Sequence, residues 1–233
     1  MSTDKKYSAV NFDLFGTLVS TFSSIAHDFV LAKMAKALGV QDDAFAKLFD
    51  YDMRYDREVG KYSTIEENIM RACNLLGINP KPLDIDKAAK FRYEFMERSL
   101  IPRKDAVQTI NQIKTKGYVT GLISDCSPEV PILWPKTPFA NIIDVSVFSC
   151  EVGIKKPDQR IYQILCEKLE VEPNECLYIG DGDSSELEGA LEVGMEPVLL
   201  RVIGEEDQDR DRPLAGTWNG KRITAISDVL QYV

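Results

Sequence analysis

Four short stretches of the 233-residue chain carry side chains able to do chemistry together. Asp13 follows the apolar run "YSAVNF" and precedes "LFGT", with Thr17 at the end of that turn. Ser124 and Asp125 lie in "GLISDCS", Lys156 in "VGIKKPD", and Asp181, Asp183 and Glu186 in "YIGDGDSSELEGA". A carboxylate such as Asp13 attacks an anionic substrate only where cations and hydrogen-bond donors are placed beforehand to offset the repulsion. Lys156 supplies a fixed charge and Ser124 a hydroxyl. The acidic groups around Asp181 are the hard oxygen donors that Mg2+ takes, together with a carbonyl and water. Each residue also has a plainer use: Asp13 as a turn cap, Ser124 and Asp125 as a helix start, the Asp181 cluster as negative charge at a helix N-terminus. Lys155 and Lys156 are adjacent and compete for one role, and the one not used is a solvated surface lysine.

These groups act together only if the fold brings them to one place. Short buried strands are predicted at "YSAVNF", "GYVTGLIS", "DVSVFS", "ECLYIG" and "EPVLLRV". Amphipathic helices fall between them, as in "DAVQTINQIKTKG", "DQRIYQILCEKLEV" and "SSELEGALEVG". Strands alternating with helices give an α/β fold, a doubly wound parallel sheet whose function gathers at the carboxyl ends of the strands. Residues 20–100 break this rhythm and read as helices only, predicting an inserted helical cap domain, with residues 1–19 and 101–233 forming the core and Pro102 marking the return. The run "GEEDQDRDRP", Gly204 to Pro213, reads as a solvated charged loop.

A formal charge of −9 and a pI near 4.8 argue against a general nucleic-acid binder, which needs a surplus of Lys and Arg. No apolar run approaches the roughly 18 residues of a membrane span, and the N-terminus does not read as a secretory signal, which points to the cytoplasm. The five cysteines have no metal-ligand spacing and read as free thiols. His27, the only histidine, lies in a helical stretch without a nucleophile motif and reads as a structural or surface position.

The four stretches, in this order and context, resemble the four motifs of the haloacid dehalogenase (HAD) superfamily, and the helical insert falls where that superfamily's C1-type cap belongs. The resemblance implies a Rossmann-like core in which Asp13 is nucleophile and metal ligand, with the Phe15 carbonyl, Asp181 and Glu186 completing a Mg2+ site. It implies that Thr17, Ser124 and Lys156 surround the transferred group. Asp125 is a candidate substrate contact, and so is Arg57 in the cap, where Arg54, Arg57 and Lys61 face an anionic small molecule or else form a solvated face. Most phosphatases of the superfamily have a second aspartate where this chain has Phe15. That aspartate protonates the leaving oxygen, and losing such a group costs roughly 10² to 10⁴ in rate. Three escapes are open: a leaving group that needs no proton, as with halide; a good leaving group, such as an acyl phosphate or phenolate; or a cap acid among Asp50, Asp52, Asp56 and Glu58. The aromatic residue points to a metal-independent 2-haloacid dehalogenase, whereas the carboxylates of "GDGDSSE" point to a Mg2+-dependent phosphatase, the preferred reading. A HAD-fold binding module without catalysis ranks third.

Overall fold

A computed structural model describes residues 6–205 and 217–233, so residues 206–213 of the predicted charged loop lie outside the described residues. The elements run β1 (Ala9–Phe12), α1 (Ser24–Leu38), α2 (Asp42–Ala46), α3 (Arg54–Glu58), α4 (Ile65–Leu75), α5 (Pro82–Ser99) and α6 (Ala106–Thr115). They continue with β2 (Val119–Ser124), α7 (Glu129–Leu133), β3 (Val145–Phe148), α8 (Ser149–Val152), α9 (Gln159–Leu169), β4 (Cys176–Gly180), α10 (Glu186–Glu192), β5 (Glu196–Leu200) and β6 (Lys221–Ile223). The strands form one sheet in the order β3-β2-β1-β4-β5-β6, all parallel.

Side chains alternate across the pleat and bury both faces, as a parallel sheet requires. Val10, Phe12, Leu122, Leu177 and Ile179 pack with Ile110 and Ile113 of α6. Their neighbours in sequence, Ala9, Ile123, Cys176 and Tyr178, pack on the other face with Ile161, Leu165 and Leu187 of α9 and α10. The expected doubly wound α/β core is therefore present. The chain leaves β1 towards β2 and β3 on one side and returns to β4 and β5 on the other, so the crevice between the carboxyl ends of β1 and β4 is a topological switch point. β6 was not predicted. Its three residues, Lys-Arg-Ile, offer no apolar run to read.

Helices α1 to α5 carry a third cluster of their own, with Met34, Phe45, Phe49, Ile65, Ile69 and Ala88 fully buried. Ser23 and Thr64 cap α1 and α4, each accepting from a backbone N–H in the first turn. The single helix expected over "DAFAKLFDYDMRYDREVG" is broken: a π-helical turn (Lys47–Asp52) separates α2 from α3, and Asp50 of that turn and Arg57 of α3 both line the space between cap and core. Where the cap begins and ends, Val19 bridges Pro102, and Arg103 donates to the carbonyls of Gly16 and Thr17. Cap and core are also tied by a buried ion pair, Arg92 Nε of α5 to Glu129 Oε1 of α7 at 2.7 Å, both side chains almost without solvent contact. Burial pushes the Glu129 carboxyl up, but Arg92 and then Arg57 outweigh it and hold the group below its ordinary value. The five cysteines are free thiols.

Breaking a buried pair from one side leaves an uncompensated charge, so Arg92→Leu is expected to cost about 3–5 kcal/mol of stability in urea denaturation. Arg92→Leu with Glu129→Leu is expected to cost clearly less than the sum of the single changes; additive losses would show that the two side chains do not stabilise each other.

Candidate active site

The site is built from the ends of three strands and one loop. Asp13 directly follows β1, and its N–H still donates to Ile179 O at 2.9 Å, which keeps the residue in register with β4. Gly16, at φ +84°, then turns the chain back so that its N–H reaches Val19 O at 2.9 Å. Ser124 is the last residue of β2, and Asp181 directly follows β4. Lys156 comes from the loop between α8 and α9, oriented by its N–H bond to Asp125 Oδ1 at 3.0 Å.

Here two of three clustered carboxylates share one ammonium. Lys156 Nζ lies 2.5 Å from Asp13 Oδ1 and 2.7 Å from Glu186 Oε2. Oxygens of Asp13, Asp181 and Glu186 all fall within 4.8 Å of one another, and all three residues are buried. Tyr178 donates to Glu186 Oε2 at 2.8 Å and the Gly182 N–H to Oε1 at 3.0 Å, so Glu186 is fixed at both oxygens. Gly180 leaves the room this needs, because a Cβ there would overlap the Glu186 carboxylate. Burial, followed after the Lys156 attraction by repulsion from Glu186 and Asp181, holds the Asp13 carboxyl well above the usual carboxylate range. Lys156 is pushed the opposite way to what burial alone would do: Asp13 and Glu186 raise its pKa well above normal and keep it charged.

Around this cluster several buried polar atoms have no hydrogen-bond partner: Asp13 Oδ2, Thr17 Oγ1, Ser124 Oγ and Asp125 Oδ2. Native interiors rarely leave such atoms unpaired, and four converging on one place mark where a ligand belongs. The carboxylate donors and the orphaned Asp13 oxygen fit a hard divalent cation.

Between cap and core lies a cavity of about 480 Å³. Its core-side wall includes Phe15, Asp125, Cys126, Asp181 and Asp183; its cap-side wall includes Phe22, His27, Asp50, Arg57, Glu58 and Arg92. Of the predicted residues, Asp13, Lys156, Asp181 and Glu186 come together, Ser124 ends the strand beside β1, Thr17 ends the turn that follows Asp13, and Asp125, Phe15 and Arg57 border the adjoining space. Arg57 is buried, with Nη1 donating to Phe49 O at 2.6 Å and to Asn68 Oδ1 at 3.2 Å, while its Nε has no partner. Burial, then neighbouring Arg92, lowers its pKa to about 10. Lys61 is paired with Asp56 outside the cavity, and Asp52 is exposed.

Two expectations are corrected. Lys155 is not solvated: it is paired with Glu58 of the cap and borders the cavity, because α3 packs against this loop. His27 is neither purely structural nor superficial. Its ring lines the cavity with Nε2 at 3.1 Å from Arg92 Nη1 and 3.5 Å from Asp50 Oδ1. Burial, then Arg92, lowers its pKa below the ordinary histidine value. Arg92 itself escaped the sequence reading, although a signal was present: it interrupts the apolar stripe Ala88, Ala89, Phe95, Met96 of α5.

The signature of haloacid dehalogenase-like hydrolases matches residues 7–194, and the chain belongs to that family of hydrolases. It is 23% identical over 207 residues to (S)-2-haloacid dehalogenase 4A of Burkholderia cepacia, covering 87% of each chain. It is also 26% identical over 208 residues to the glyceraldehyde 3-phosphate phosphatase of Pyrococcus furiosus, covering 84% of this chain and 82% of the relative. A solved HAD phosphatase from Thermococcus onnurineus shares the fold with a TM-score of 0.65 at 22% identity, over 96% of each chain.

The shared ammonium has a measurable consequence. Lys156→Met removes the charge that offsets the burial of Asp13, whose carboxyl is already raised; a raised acid makes the folded state bind more protons than the unfolded one, so the folded state loses stability as pH rises through that window. The stability deficit of Lys156→Met against the parent protein is expected to be larger at pH 8 than at pH 5 in thermal unfolding. A deficit that does not change with pH would show that the lysine does not compensate these carboxylates.

Proposed function

We propose that the protein is a Mg2+-dependent phosphatase acting on a small phosphorylated metabolite through an aspartyl-phosphate. One observation carries this reading: three buried carboxylates, Asp13, Asp181 and Glu186, bring oxygens within 4.8 Å of one another, two of them on the Lys156 ammonium. At an effective dielectric near 20, like charges about 5 Å apart repel by roughly 3 kcal/mol. A divalent cation held by these donors would relieve that repulsion. A metal-free dehalogenase, which must accept a carboxylate substrate and expel a halide anion, would have to work against it.

In this reading Asp13 is the nucleophile. Lys156 holds its Oδ1, leaving Oδ2 without a donor and oriented by the β1–β4 ladder. The hydroxyls of Thr17 and Ser124, both orphaned and buried, donate to oxygens of the transferred group, and Lys156 adds charge beside them. Asp13, the Phe15 carbonyl, Asp181 and Glu186 hold Mg2+, which when bound supplies the positive charge a phosphoryl group needs. Residues 20–100 are the cap, of C1 type; Arg57 and Asp125 contact the substrate, and the enclosure suits a small anionic molecule rather than a macromolecule.

Phe15 favours a second reading, the 2-haloacid dehalogenase, because halide leaves without a proton. One assay separates the two. Phosphate release from a panel of small phosphate esters is expected with Mg2+, is lost with EDTA, and is abolished by Asp13→Asn. Halide release from 2-haloacids that persists in EDTA would overturn the phosphatase in favour of the dehalogenase, and silence in both panels would favour a binding module.

A further inference from the structure

Phe15 both withholds a proton and builds a wall. Its ring centroid lies 4.8 Å from that of Phe22, which packs 5.4 Å from Phe95 and 6.1 Å from His27. Phe15 and Phe22 both face the cavity, and Met96 and Val130 add further apolar surface. The cap acids do not replace the missing donor. Burial pushes the Glu58 carboxyl up, but Lys155 and Arg54 outweigh it and hold the group below its ordinary value, hence ionised. Asp50 lies on the cap side of the cavity with Arg57 Nη2 3.9 Å from its Oδ1, away from the Phe15 wall on the core side. Asp56 is paired with Lys61, and Asp52 is not among the residues bordering the cavity. His27 Nε2 faces a guanidinium, which only donates, so the ring accepts there and offers no proton from that nitrogen.

Resting on the phosphatase reading, we infer that the site is built for aryl phosphates, monoesters whose leaving oxygen departs as a phenolate without being protonated, with the ring against Phe15 and Phe22. An Asp13 oxygen bonds to phosphorus as the bond from phosphorus to the aryl oxygen breaks, and the electron pair leaves on the phenolate. Water then attacks the phosphorus, the bond to Asp13 breaks, and phosphate is released with a proton equal to the one the phenolate takes up in solvent. An aromatic ring stacks on the wall, and the acidity of a phenol removes the need for the acid that Phe15 denies.

The test is kcat/KM with Mg2+ across substituted phenyl phosphates, an alkyl phosphate and acetyl phosphate. The expected result is a steady fall as the leaving group becomes more basic, with the alkyl ester at least about 100-fold slower than the nitrophenyl ester. Phe15→Asp is expected to restore roughly 10²-fold on the alkyl ester and to change the nitrophenyl ester much less. Phe22→Ala is expected to raise KM for aryl esters about three- to tenfold more than for acetyl phosphate. The wild-type series and Phe22→Ala decide the matter even if Phe15→Asp does not fold. A flat series overturns the inference and leaves the phosphatase reading standing; if Asp125→Asn then makes it steep, Asp125 is the proton donor instead. Equal KM effects of Phe22→Ala on aryl and acetyl phosphates overturn the aryl assignment. Absence of Mg2+-dependent phosphate release from every member overturns the phosphatase reading itself and the inference with it.

Discussion

Three buried carboxylates gathered within 4.8 Å of one another are the constraint around which this site is organised. Asp13, Asp181 and Glu186 are held together because β1 and β4 are neighbours in the sheet and both end at the switch point, where the chain turns away to opposite sides. Lys156 offsets part of the repulsion, and the surroundings fix what remains: Tyr178 and the Gly182 N–H clamp Glu186, and the absent side chain of Gly180 gives that carboxylate its place. A cluster of like charges in a protein interior is not a way to gain stability. In the proposed phosphatase, a cation and a phosphoryl group would satisfy both the clustered carboxylates and the orphaned hydroxyls.

The cap closes this site from above and determines what else enters. It brings its own hydrophobic cluster and meets the core through contacts far apart in sequence, Arg92 with Glu129 and Glu58 with Lys155. The cavity is therefore two-sided in character. Charged groups of the cap and the Asp181 loop make one part polar, while Phe15, Phe22, Met96 and Val130 make another apolar. Phe15 belongs to both descriptions, since it stands two residues after Asp13 and packs as part of an aromatic cluster.

Much of the core was legible because its signals are local. Asp13, Ser124 and Asp181 each sit at the end of a short apolar run, and a strand end is where a parallel sheet presents its chemistry. Glu186 was legible from its place at the start of α10, though the clamp by Tyr178 was not, since it depends on how α10 packs against β4. Less of the cap was legible. The π-helical turn at Lys47–Asp52 leaves no mark in the hydrophobic periodicity, and without it Asp50 and Arg57 cannot be placed. His27 and Lys155 gained their surroundings from residues 65 and 97 positions away, which no local pattern reports. Short, charged β6 gave no apolar signal at all.

The account turns on whether the carboxylate cluster needs a second cation, and thermal unfolding against Mg2+ concentration measures this without relying on turnover. A ligand that binds only the folded state stabilises it increasingly as its concentration passes Kd. The account predicts that Tm rises with Mg2+ in the parent protein and stays flat in Asp181→Asn. A parent protein whose Tm ignores Mg2+, with no heat of binding on titration, would contradict it.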